Sequence, residues 1–419
     1  MVQIAPFDAV RYNSIRFGND VGRFVAPPYD SIDRGMERSL KKDRLNITHL
    51  TLGNEGDEYL TAGKRLRRWL NDEVLVRDGG RSLYLYEQTF QGTNGIVRVR
   101  TGIVAVVRIE DPSNGAILPH ENTIPKHKAD RMALMSALGG NSEQIFMLYD
   151  DKTGEVEEAL DSCRKSAEIL RFIDPEGVHH RIVRINDDAV ISRIGSLLES
   201  ERMLIADGHH RYETAVEYRN RRKGDSEQHR VEPSDYVLAT LVSFRNPGLV
   251  INPTHRLVRN IDEKTLATFR NRLDEQFVIR DCQSPEELES ALKGAPATAF
   301  GVWCPSNGLI ALVEPKEANI PGPLGGLSVF VLQERVLKDI LGFTTDMLDK
   351  KTNIEFIKDI GSARFELSSE ERSMFFMVKA PTVDQVKEVA KEGLRMPHKS
   401  TYFYPKIWSG VLLYLFGEG

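Results

Sequence analysis

The chain has 419 residues, which is too long for one ordinary hydrophobic core and predicts two or three domains. It has 56 basic and 61 acidic residues and a formal net charge of −5, so no overall positive field favours nucleic acid as a partner. The three isolated cysteines form no CxxC pair, no apolar run reaches about 18 residues and no signal-peptide pattern is visible, so we expect a cytoplasmic protein without disulfides or membrane-spanning helices.

The first part of the chain predicts short strands, a proline turn and a long helix. APPYDSI at residues 26–32 runs from an apolar strand end into Tyr29 and Asp30. These two side chains either face a ligand or form a rigid proline turn in which Asp30 is a cap. A strand, an amphipathic helix and two hairpin strands are predicted at residues 4–11, 58–75, 84–90 and 100–110.

A polar cluster follows in AILPHENTIPKHKADRM, residues 116–132, ahead of a helix that starts with a proline. Glu121 is a candidate general base for taking a proton from an attacking hydroxyl, and a solvated loop carboxylate is the alternative. His120 beside it is a candidate substrate ligand. Candidates to neutralise phosphate oxygens, with ordinary surface positions as the alternative for the lysines, are Asn122, Lys126, Lys128 and Arg131.

The next segment, about residues 142–200, is interpreted as an ordered insertion. Its predicted strands and helices alternate, at residues 144–149, 154–170, 179–185 and 187–199. His179 and His180 are placed on a strand edge, and solvent or sheet contacts are favoured there over a metal site.

The segment MLIADGHHRYETAVEYRNRR, residues 203–222, is the most informative part of the sequence. An apolar strand end leads through Asp207 and Gly208 into a helix that starts at His209. Asp207 is predicted at the N-cap, and Gly208 lets a ligand approach the backbone closely. His209, His210 and Arg211 supply donors at the positive end of the helix dipole, which predicts an anion site. The alternative is a simple cap with basic surface residues.

The remaining part carries two further candidate groups. In PTHRLV, residues 253–258, His255 and Arg256 either reach a phosphate or carboxylate or form a polar plug beneath a sheet. From residue 261 onward, helices and strands alternate. The tail motif MPHKSTYFYPK, residues 396–406, mixes aromatic and polar residues. We expect it to pack back on the body, either to close a substrate pocket with Lys399, Ser400 and Lys406 or to clamp the terminus.

Two of these motifs resemble known proteins. A PHE tripeptide ahead of a helix, followed by a strand and DGHHR, is similar to the motif pair of the free-serine kinases in the ParB and sulfiredoxin superfamily. The resemblance covers roughly residues 20–260 and implies that Glu121 and Asp207 are the catalytic acids. It also implies that His209, His210 and Arg211 hold nucleotide phosphates. The interval between the motifs is longer than in the compact kinases, which implies inserted sequence.

The chain also resembles, nearly end to end, a bacterial and archaeal family of unknown function. The motifs that carry this resemblance are APPYDSI, LPHENT, ADGHHRYETA, PTHRLV and MPHKSTYFYPK. They identify the family and leave the reaction open.

Together these observations predict a mixed α/β fold with two domains. Residues 1–260 are expected to form a ParB/sulfiredoxin-like nucleotide-binding catalytic domain with the insertion near 142–200. Residues 261–419 are expected to form a second α/β domain whose tail packs back on the core.

The leading functional hypothesis is a phosphotransferase that moves a nucleotide phosphoryl group from ADP or ATP to a small hydroxyl compound, and the resemblance implies free serine as the acceptor. Glu121 would accept the hydroxyl proton and Asp207 would steer Mg²⁺ or the nucleophile. The alternatives are a phosphatase acting on a phosphoserine-like metabolite, and a nucleotide-binding switch without turnover. A histidine metal hydrolase matches no ligand spacing, and an oligomer is possible.

Overall fold

The computed structural model describes residues 2–53, 58–92, 95–123, 125–223, 230–317, 321–367 and 372–417. The chain divides into two units. Unit 1 comprises Met1–Pro119, Thr123–Val250 and Pro405–Gly419, and unit 2 comprises His120–Asn122 and Ile251–Tyr404. The sequence predicted a domain boundary at residue 260. In the structure, the long middle segment of unit 1 ends at Val250, and the end of the tail, Pro405–Gly419, also belongs to unit 1.

Unit 1 is built on a mixed sheet, which confirms the predicted α/β class. Its nine strands among the described residues are β1 (Ile4–Ala5), β4 (Leu83–Gln91), β5 (Val97–Arg108), β6 (Ile117–Leu118), β8 (Ile145–Tyr149), β9 (Glu168–Ile173), β10 (His179–Ile185), β11 (Met203–Asp207) and β12 (Tyr236–Ser243). The order is β6-β11-β8-β12-β5-β4-β10-β9, with β1 beside β5. The β6–β11 and β8–β12 pairs are parallel and the others are antiparallel.

Helices and short strand pairs complete unit 1. The helices are α1 (Ser14–Phe17), α2 (Arg34–Leu40), α3 (Thr48–Thr51), α4 (Glu58–Asn71), α5 (Pro125–Leu138), α6 (Glu155–Cys163), α7 (Asp188–Glu199) and α8 (His209–Lys223). The short strands are β2 (Val10–Tyr12), paired with β3 (Leu75–Arg77), and β7 (Gly140–Asn141), paired with β21 (Tyr414–Leu415). Leu160 of α6, Leu198 of α7 and Ala215 of α8 share one core with the sheet, because each helix buries its apolar face.

The segment predicted as an insertion supplies β8, β9 and β10 to this same sheet. The predicted helix over 154–170 is wrong in its second half, since α6 ends at Cys163 and the chain continues as β9. Pairing with β10 favours a strand for the apolar residues of β9. His179 and His180 begin β10, which lies between β4 and β9 and is not an edge strand, but they alternate between solvent and sheet as expected, since His179 is exposed. His180 is buried and its Nε2 lies 3.2 Å from Asp174 Oδ2.

Unit 2 contains a second, antiparallel sheet. Its strands are β14 (His255–Val258), β15 (Phe277–Asp281), β16 (Phe300–Cys304), β17 (Leu309–Pro315), β18 (Ile354–Ile357) and β19 (Met374–Val378). Their order is β15-β17-β16-β19-β14-β18. A separate pair joins β13 (Val250–Asn252) to β20 (Tyr402–Tyr404). The helices are α9 (Glu263–Gln276), α10 (Pro285–Gly294), α11 (Ser328–Val331), which continues as a π-helix over Leu332–Lys338, α12 (Thr345–Asp349), α13 (Ile360–Leu367) and α14 (Val383–Lys391).

The unit 2 sheet is covered on both faces. Phe376 of β19 belongs to one apolar core and its neighbour Phe375 belongs to another, as expected when successive strand residues point to opposite faces. In the part of the chain that the structure describes, no helix is long and apolar enough to cross a membrane.

Candidate functional site

The turn between β11 and α8 is the centre of the candidate site in unit 1. Asp207 is the last strand residue and pairs with Phe146, so it is still part of the sheet. Gly208 has a φ of +94°, a conformation that favours glycine, and its carbonyl accepts a hydrogen bond from Tyr212 N at 2.9 Å. Gly208 is therefore the N-cap of α8, and the predicted N-cap position of Asp207 is wrong.

The Asp207 carboxylate contacts two cationic side chains instead. Lys406 Nζ donates to Asp207 Oδ2 at 2.7 Å, and Arg211 Nη2 lies 3.9 Å from Asp207 Oδ1. The exposed fractions are only 17% for the Lys406 side chain and 21% for the Asp207 side chain. Since water screens such a pair incompletely, its electrostatic attraction is stronger than that of a surface ion pair.

Buried residues of the sheet hold the Lys406 backbone in place. Arg100 Nη2 donates to Pro405 O, and Gln88 Nε2 donates to Lys406 O at 2.8 Å. Arg100 Nε also donates to Gln88 Oε1 at 3.0 Å, and both side chains are buried. The position of Lys406 thus depends on the sheet as well as on Asp207.

The two histidines of the motif lie in the first turn of α8. His209 is buried and His210 is half-buried. Both belong to unit 1 with Asp207, Gly208 and Arg211. The structure therefore brings the whole DGHHR motif to the amino-terminal end of one helix, where backbone N–H groups and the helix dipole favour an anion.

Arg211 and Arg131 line one small pocket of unit 1 together with Glu143. Arg211 Nη1 donates to Gln144 O, and Arg131 Nη1 lies 3.6 Å from Glu143 Oε2. Arg131, Glu143 and Arg211 are each buried. The pocket lining thus contains two buried guanidinium groups and one buried carboxylate, and the carboxylates of Asp130 and Asp207 lie beside Arg131 and Arg211 respectively.

Arg131 is also fixed by neighbours outside the pocket. Its Nη2 donates to Asp130 Oδ2 at 2.6 Å, and its guanidinium carbon lies 4.0 Å from the ring centroid of Tyr29. Burial lowers the pKa of Arg131, but the nearby Glu143 and Asp130 carboxylates raise it above its ordinary value, so the guanidinium stays charged. Burial, and then the charge of Asp30, raises the pKa of Tyr29, which keeps the phenol neutral.

Two further candidates from the sequence, Asp30 and Lys128, also lie in unit 1. Asp30 is exposed in the short 3-10 turn that follows Pro28. Lys128 Nζ lies 3.1 Å from Glu213 Oε2, an ion pair on helices α5 and α8. The Lys126 side chain lies outside the described residues.

Glu121 belongs to unit 2, where a second group of candidates meets. Thr401 Oγ1 donates to Glu121 Oε1 at 3.2 Å, and His120 Nε2 donates to the same Thr401 oxygen at 2.9 Å. Met396 N donates to His120 O at 2.8 Å, so the tail also fixes the backbone here. Asn122 is exposed. A carboxylate held by a hydroxyl–imidazole chain is a reasonable proton acceptor.

Arg256 and Ser400 organise the backbone of the tail. Arg256 donates to Thr254 O, and its Nη2 donates to His398 O at 3.1 Å and to Lys399 O at 3.3 Å. Ser400 Oγ donates to Pro397 O at 2.5 Å. Burial lowers the pKa of Arg256 to about 9, against the opposing effect of Glu121.

His255 is part of the unit 2 sheet. Its Nδ1 accepts a hydrogen bond from Val378 N at 3.2 Å, which places the proton of the neutral ring on Nε2. Burial, and then the charge of Arg256, lowers the pKa of His255 to about 4. The hydrogen bonds described for His255 and Arg256 all join these side chains to backbone groups.

The donor set near Asp207 limits how a metal ion could bind. Within the described ranges, no group of three or more His, Cys, Asp or Glu side chains could hold a metal ion. Mg²⁺ is commonly held by one or two carboxylates together with substrate phosphates and water. A Mg²⁺ ion here would therefore depend on Asp207 and on phosphate oxygens from the ligand.

Glu143 is the main residue of this region that the sequence analysis missed. It stands in NSEQIFMLY, two residues before the start of the buried strand β8. An acid next to a fully apolar strand was the available signal, because buried carboxylates need cationic or hydrogen-bonding partners. That signal does not say which arginine is the partner.

The chain was compared with solved structures and with curated proteins. It is similar to a free serine kinase variant in complex with AMP, at 15% identity, covering 69% of this chain and 84% of that chain with a TM-score of 0.37. A free serine kinase variant in complex with ADP gives the same four values. SbnI from Staphylococcus aureus, with a carboxy-terminal truncation, matches at 9% identity over 72% of this chain and 84% of that chain, with a TM-score of 0.36.

Likenesses at these TM-scores do not establish a shared fold. No curated protein matches the sequence. The family comparison is decisive, because one family model matches residues 4–393. The chain belongs to the DUF1015 family, whose description is "Protein of unknown function (DUF1015)".

Proposed function

We propose that this protein is a phosphotransferase that moves a phosphoryl group from ADP or ATP to the hydroxyl of a small metabolite, with free serine as the first acceptor to test. The observation that carries the proposal is the Asp207–Gly208 turn, where Lys406 and Arg211 join the start of α8. Cations, backbone N–H groups and a helix dipole at one point suit a phosphate chain. The DGHHR motif provides the same assignment from the sequence.

The proposed phosphate ligands share a positive charge or a donor group. They are the Gly208 backbone and the side chains of His209, His210, Arg211, Lys406, Arg131 and Asn122. In phosphoryl transfer the protein mainly positions the reactants and stabilises charge on the transferred group. Since the chain has no P-loop motif, the start of α8 takes the place of that loop.

The reaction forms one oxygen–phosphorus bond and breaks another. The acceptor hydroxyl oxygen attacks the terminal phosphorus, the nucleotide leaves with the bridging oxygen, and the hydroxyl proton goes to Glu121. Thr401 and His120 support this role, because their hydrogen-bond chain orients the Glu121 carboxylate. Asp207 would hold Mg²⁺, which offsets phosphate charge when bound.

We further propose that the chain has a ParB/sulfiredoxin-like core and that it acts in the cytoplasm, in serine metabolism.

The test is to incubate the protein with Mg²⁺, serine and either ADP or ATP, and to follow phosphoserine by mass spectrometry. We expect product with wild-type protein and a loss of at least about a hundredfold in Asp207→Asn and Glu121→Gln, because each removes a charge used in the reaction. Asp188→Asn and Glu199→Gln change the same side chains at exposed positions of α7 and serve as matched controls.

Other outcomes point to the alternative functions. Release of inorganic phosphate from phosphoserine without nucleotide would identify a phosphatase and overturn the kinase proposal. Nucleotide binding without turnover of serine or related hydroxyl compounds would instead favour a nucleotide-binding switch.

A further inference from the structure

A buried chain of three polar side chains in unit 1 takes no part in the proposed reaction. Tyr86 and His180 are each 2% exposed, and Asp174 is 8% exposed. Tyr86 Oη lies 2.7 Å from His180 Nδ1, and His180 Nε2 lies 3.2 Å from Asp174 Oδ2. Because an unpaired buried polar group costs free energy, these three side chains constrain one another's positions.

The contacts of Asp174 set the direction of these hydrogen bonds. Asp174 Oδ1 accepts from the backbone N–H groups of Glu176 at 2.9 Å and Val178 at 3.0 Å. Its Oδ2 accepts from His180 Nε2, which places the ring proton on that nitrogen. Burial, the largest effect, lowers the pKa of His180 below its ordinary value, against the opposing effect of Asp174, so the ring is neutral. His180 Nδ1 therefore accepts a hydrogen bond from the Tyr86 hydroxyl.

The tail of the chain packs on these residues through Trp408. The Trp408 ring centroid lies 5.9 Å from that of His180 and 5.4 Å from that of Phe172. Phe172 stacks on His180, with the centroids 4.0 Å apart. Burial raises the pKa of Tyr86, and the charge of Arg100 and a hydrogen bond with the Trp408 backbone oppose this effect. The Tyr86 hydroxyl thus links His180 to the backbone of the tail.

Lys406 lies two residues before Trp408 and is held by the same group. Gln88 Nε2 donates to Lys406 O at 2.8 Å and lies 3.4 Å from His180 Nδ1. The backbone is therefore fixed at Lys406 and again at Trp408, while Lys406 Nζ donates to Asp207. A lysine side chain on a fixed backbone loses less conformational entropy when its ammonium group binds an anion.

We infer that the Asp174–His180–Tyr86 chain is a positioning device, which fixes the tail so that the Lys406 ammonium group stays at Asp207, where the phosphate chain is proposed to bind. The three residues act through Lys406 and not by contact with the ligand. The inference rests on the proposed function for the identity of that ligand, but the position of the tail can be measured without one.

The first experiment removes one hydroxyl and measures the tail directly. Tyr86→Phe keeps the ring and loses the link to His180. Tyr84→Phe is the matched control, because Tyr84 is also buried on β4 and its hydroxyl donates to Asp78 Oδ2 at 2.7 Å. We expect backbone hydrogen exchange over residues 406–409 to rise at least about threefold in Tyr86→Phe and to stay unchanged in Tyr84→Phe. Unaltered exchange in Tyr86→Phe, or an equal rise in both variants, would overturn the inference.

A double-mutant cycle tests whether Tyr86 acts through Lys406. We expect Tyr86→Phe to raise the dissociation constant for ADP roughly threefold to tenfold in the wild-type background and to have no further effect in a Lys406→Gln background. Calorimetric titration with Mg²⁺ measures all four proteins, and Tyr84→Phe should bind ADP like wild type. The same factor in both backgrounds would indicate a general structural role and contradict the inference.

Asp174→Asn changes the hydrogen-bond direction at nearly constant size. Its amide oxygen is needed by the Glu176 and Val178 N–H groups, so its NH₂ group faces His180 Nε2 and moves the ring proton to Nδ1. The ring-nitrogen chemical shifts of isotope-labelled histidine report this move, and we expect the ADP affinity to fall with it. A proton on Nδ1 in wild type, or a moved proton with unchanged ADP affinity, would refute the positioning role.

Failure of the proposed function gives a different pattern. If tail exchange responds to Tyr86→Phe as expected but the wild-type chain binds no ADP or makes no phosphoserine, the phosphotransfer proposal fails and the positioning role stands. If phosphoserine forms while tail exchange and ADP affinity are the same in Tyr86→Phe as in wild type, the function stands and the positioning role is wrong.

Discussion

Lys406 Nζ donates to Asp207 Oδ2 at 2.7 Å across a sequence separation of 199 residues, which joins the tail of the chain to the end of strand β11. This ion pair neutralises the Asp207 carboxylate. A bound phosphate chain carries more negative charge than one carboxylate, so it competes for the lysine. Transfer of Lys406 from Asp207 to the phosphate would leave the carboxylate available to a Mg²⁺ ion.

The first prediction concerns Lys406 and nucleotide binding. Lys406→Gln removes the charge and retains most of the side-chain length, so we expect the dissociation constant for ADP to rise roughly tenfold or more. Calorimetric titration in the presence of Mg²⁺ measures this change. The same replacement at Lys264, an exposed residue of α9, is the control and should leave the affinity unchanged. An ADP affinity that is unaltered in Lys406→Gln would remove this lysine from the phosphate site.

The second prediction concerns the turn at Gly208. In Gly208→Ala, a residue with a side chain must adopt a φ of +94°, and its Cβ comes within 3.0 Å of the Arg211 guanidinium. We expect the free energy of unfolding to fall by about 1–3 kcal/mol, mostly from backbone strain, and the ADP affinity to fall as Arg211 is displaced. Urea unfolding and calorimetry measure the two effects.

Alanine at a second glycine, Gly195, should change the free energy of unfolding in the opposite direction. Gly195 lies inside helix α7, and the space that an alanine methyl group would occupy there is open, so Gly195→Ala should raise the free energy of unfolding by about 0.5–1 kcal/mol. It should not change ADP binding. Equal effects of the two alanine substitutions would mean that the Gly208 turn has no special backbone requirement.

The third prediction is a pH dependence of stability from His255. Its pKa in the folded chain is about 4, compared with an ordinary value of 6.5, because burial disfavours the charged ring. The contribution of neutral His255 to the free energy of unfolding is complete above pH 6.5. It is lost as the pH falls toward 4, because His255 takes up a proton at a higher pH in the unfolded chain than in the folded chain. The loss amounts to about 3 kcal/mol at most. Urea unfolding of wild type and His255→Gln at pH 7 and pH 4.5 measures it, and the variant should lose less stability on acidification. Equal losses would contradict the assignment.

Local sequence patterns were sufficient for much of the fold. The hairpin of β4 and β5, strand β11 and helix α8 all follow from short-range periodicity and a glycine turn. Periodicity failed where pairing within the sheet decided the structure. The apolar residues of β9 fit a continuing helix by pattern, and only their register with β10 makes them a strand.

The sequence predicted the motif of the candidate site but not the distant residues that contact it. DGHHR located the turn and its donors from consecutive residues. The Lys406 pair with Asp207 depends on the path of the whole chain, and the contact of Glu143 with Arg131 depends on how α5 packs beside β7 and the residues that follow it. Spacing along the sequence carries no information about such contacts.

The last prediction separates catalysis from binding at Glu121. Glu121→Gln keeps a side-chain oxygen that can accept the hydrogen bond from Thr401 Oγ1, now 3.2 Å from Glu121 Oε1, but it cannot take up the hydroxyl proton. We therefore expect ADP and serine affinities within about twofold of wild type and a turnover number reduced at least about a hundredfold. Thr401→Val, which removes the hydroxyl that orients the carboxylate, should lower turnover by a smaller factor and shift its pH profile. If Glu121→Gln turns over like wild type while Asp207→Asn is inactive, the base is another group and the PHE motif has a structural role in this chain.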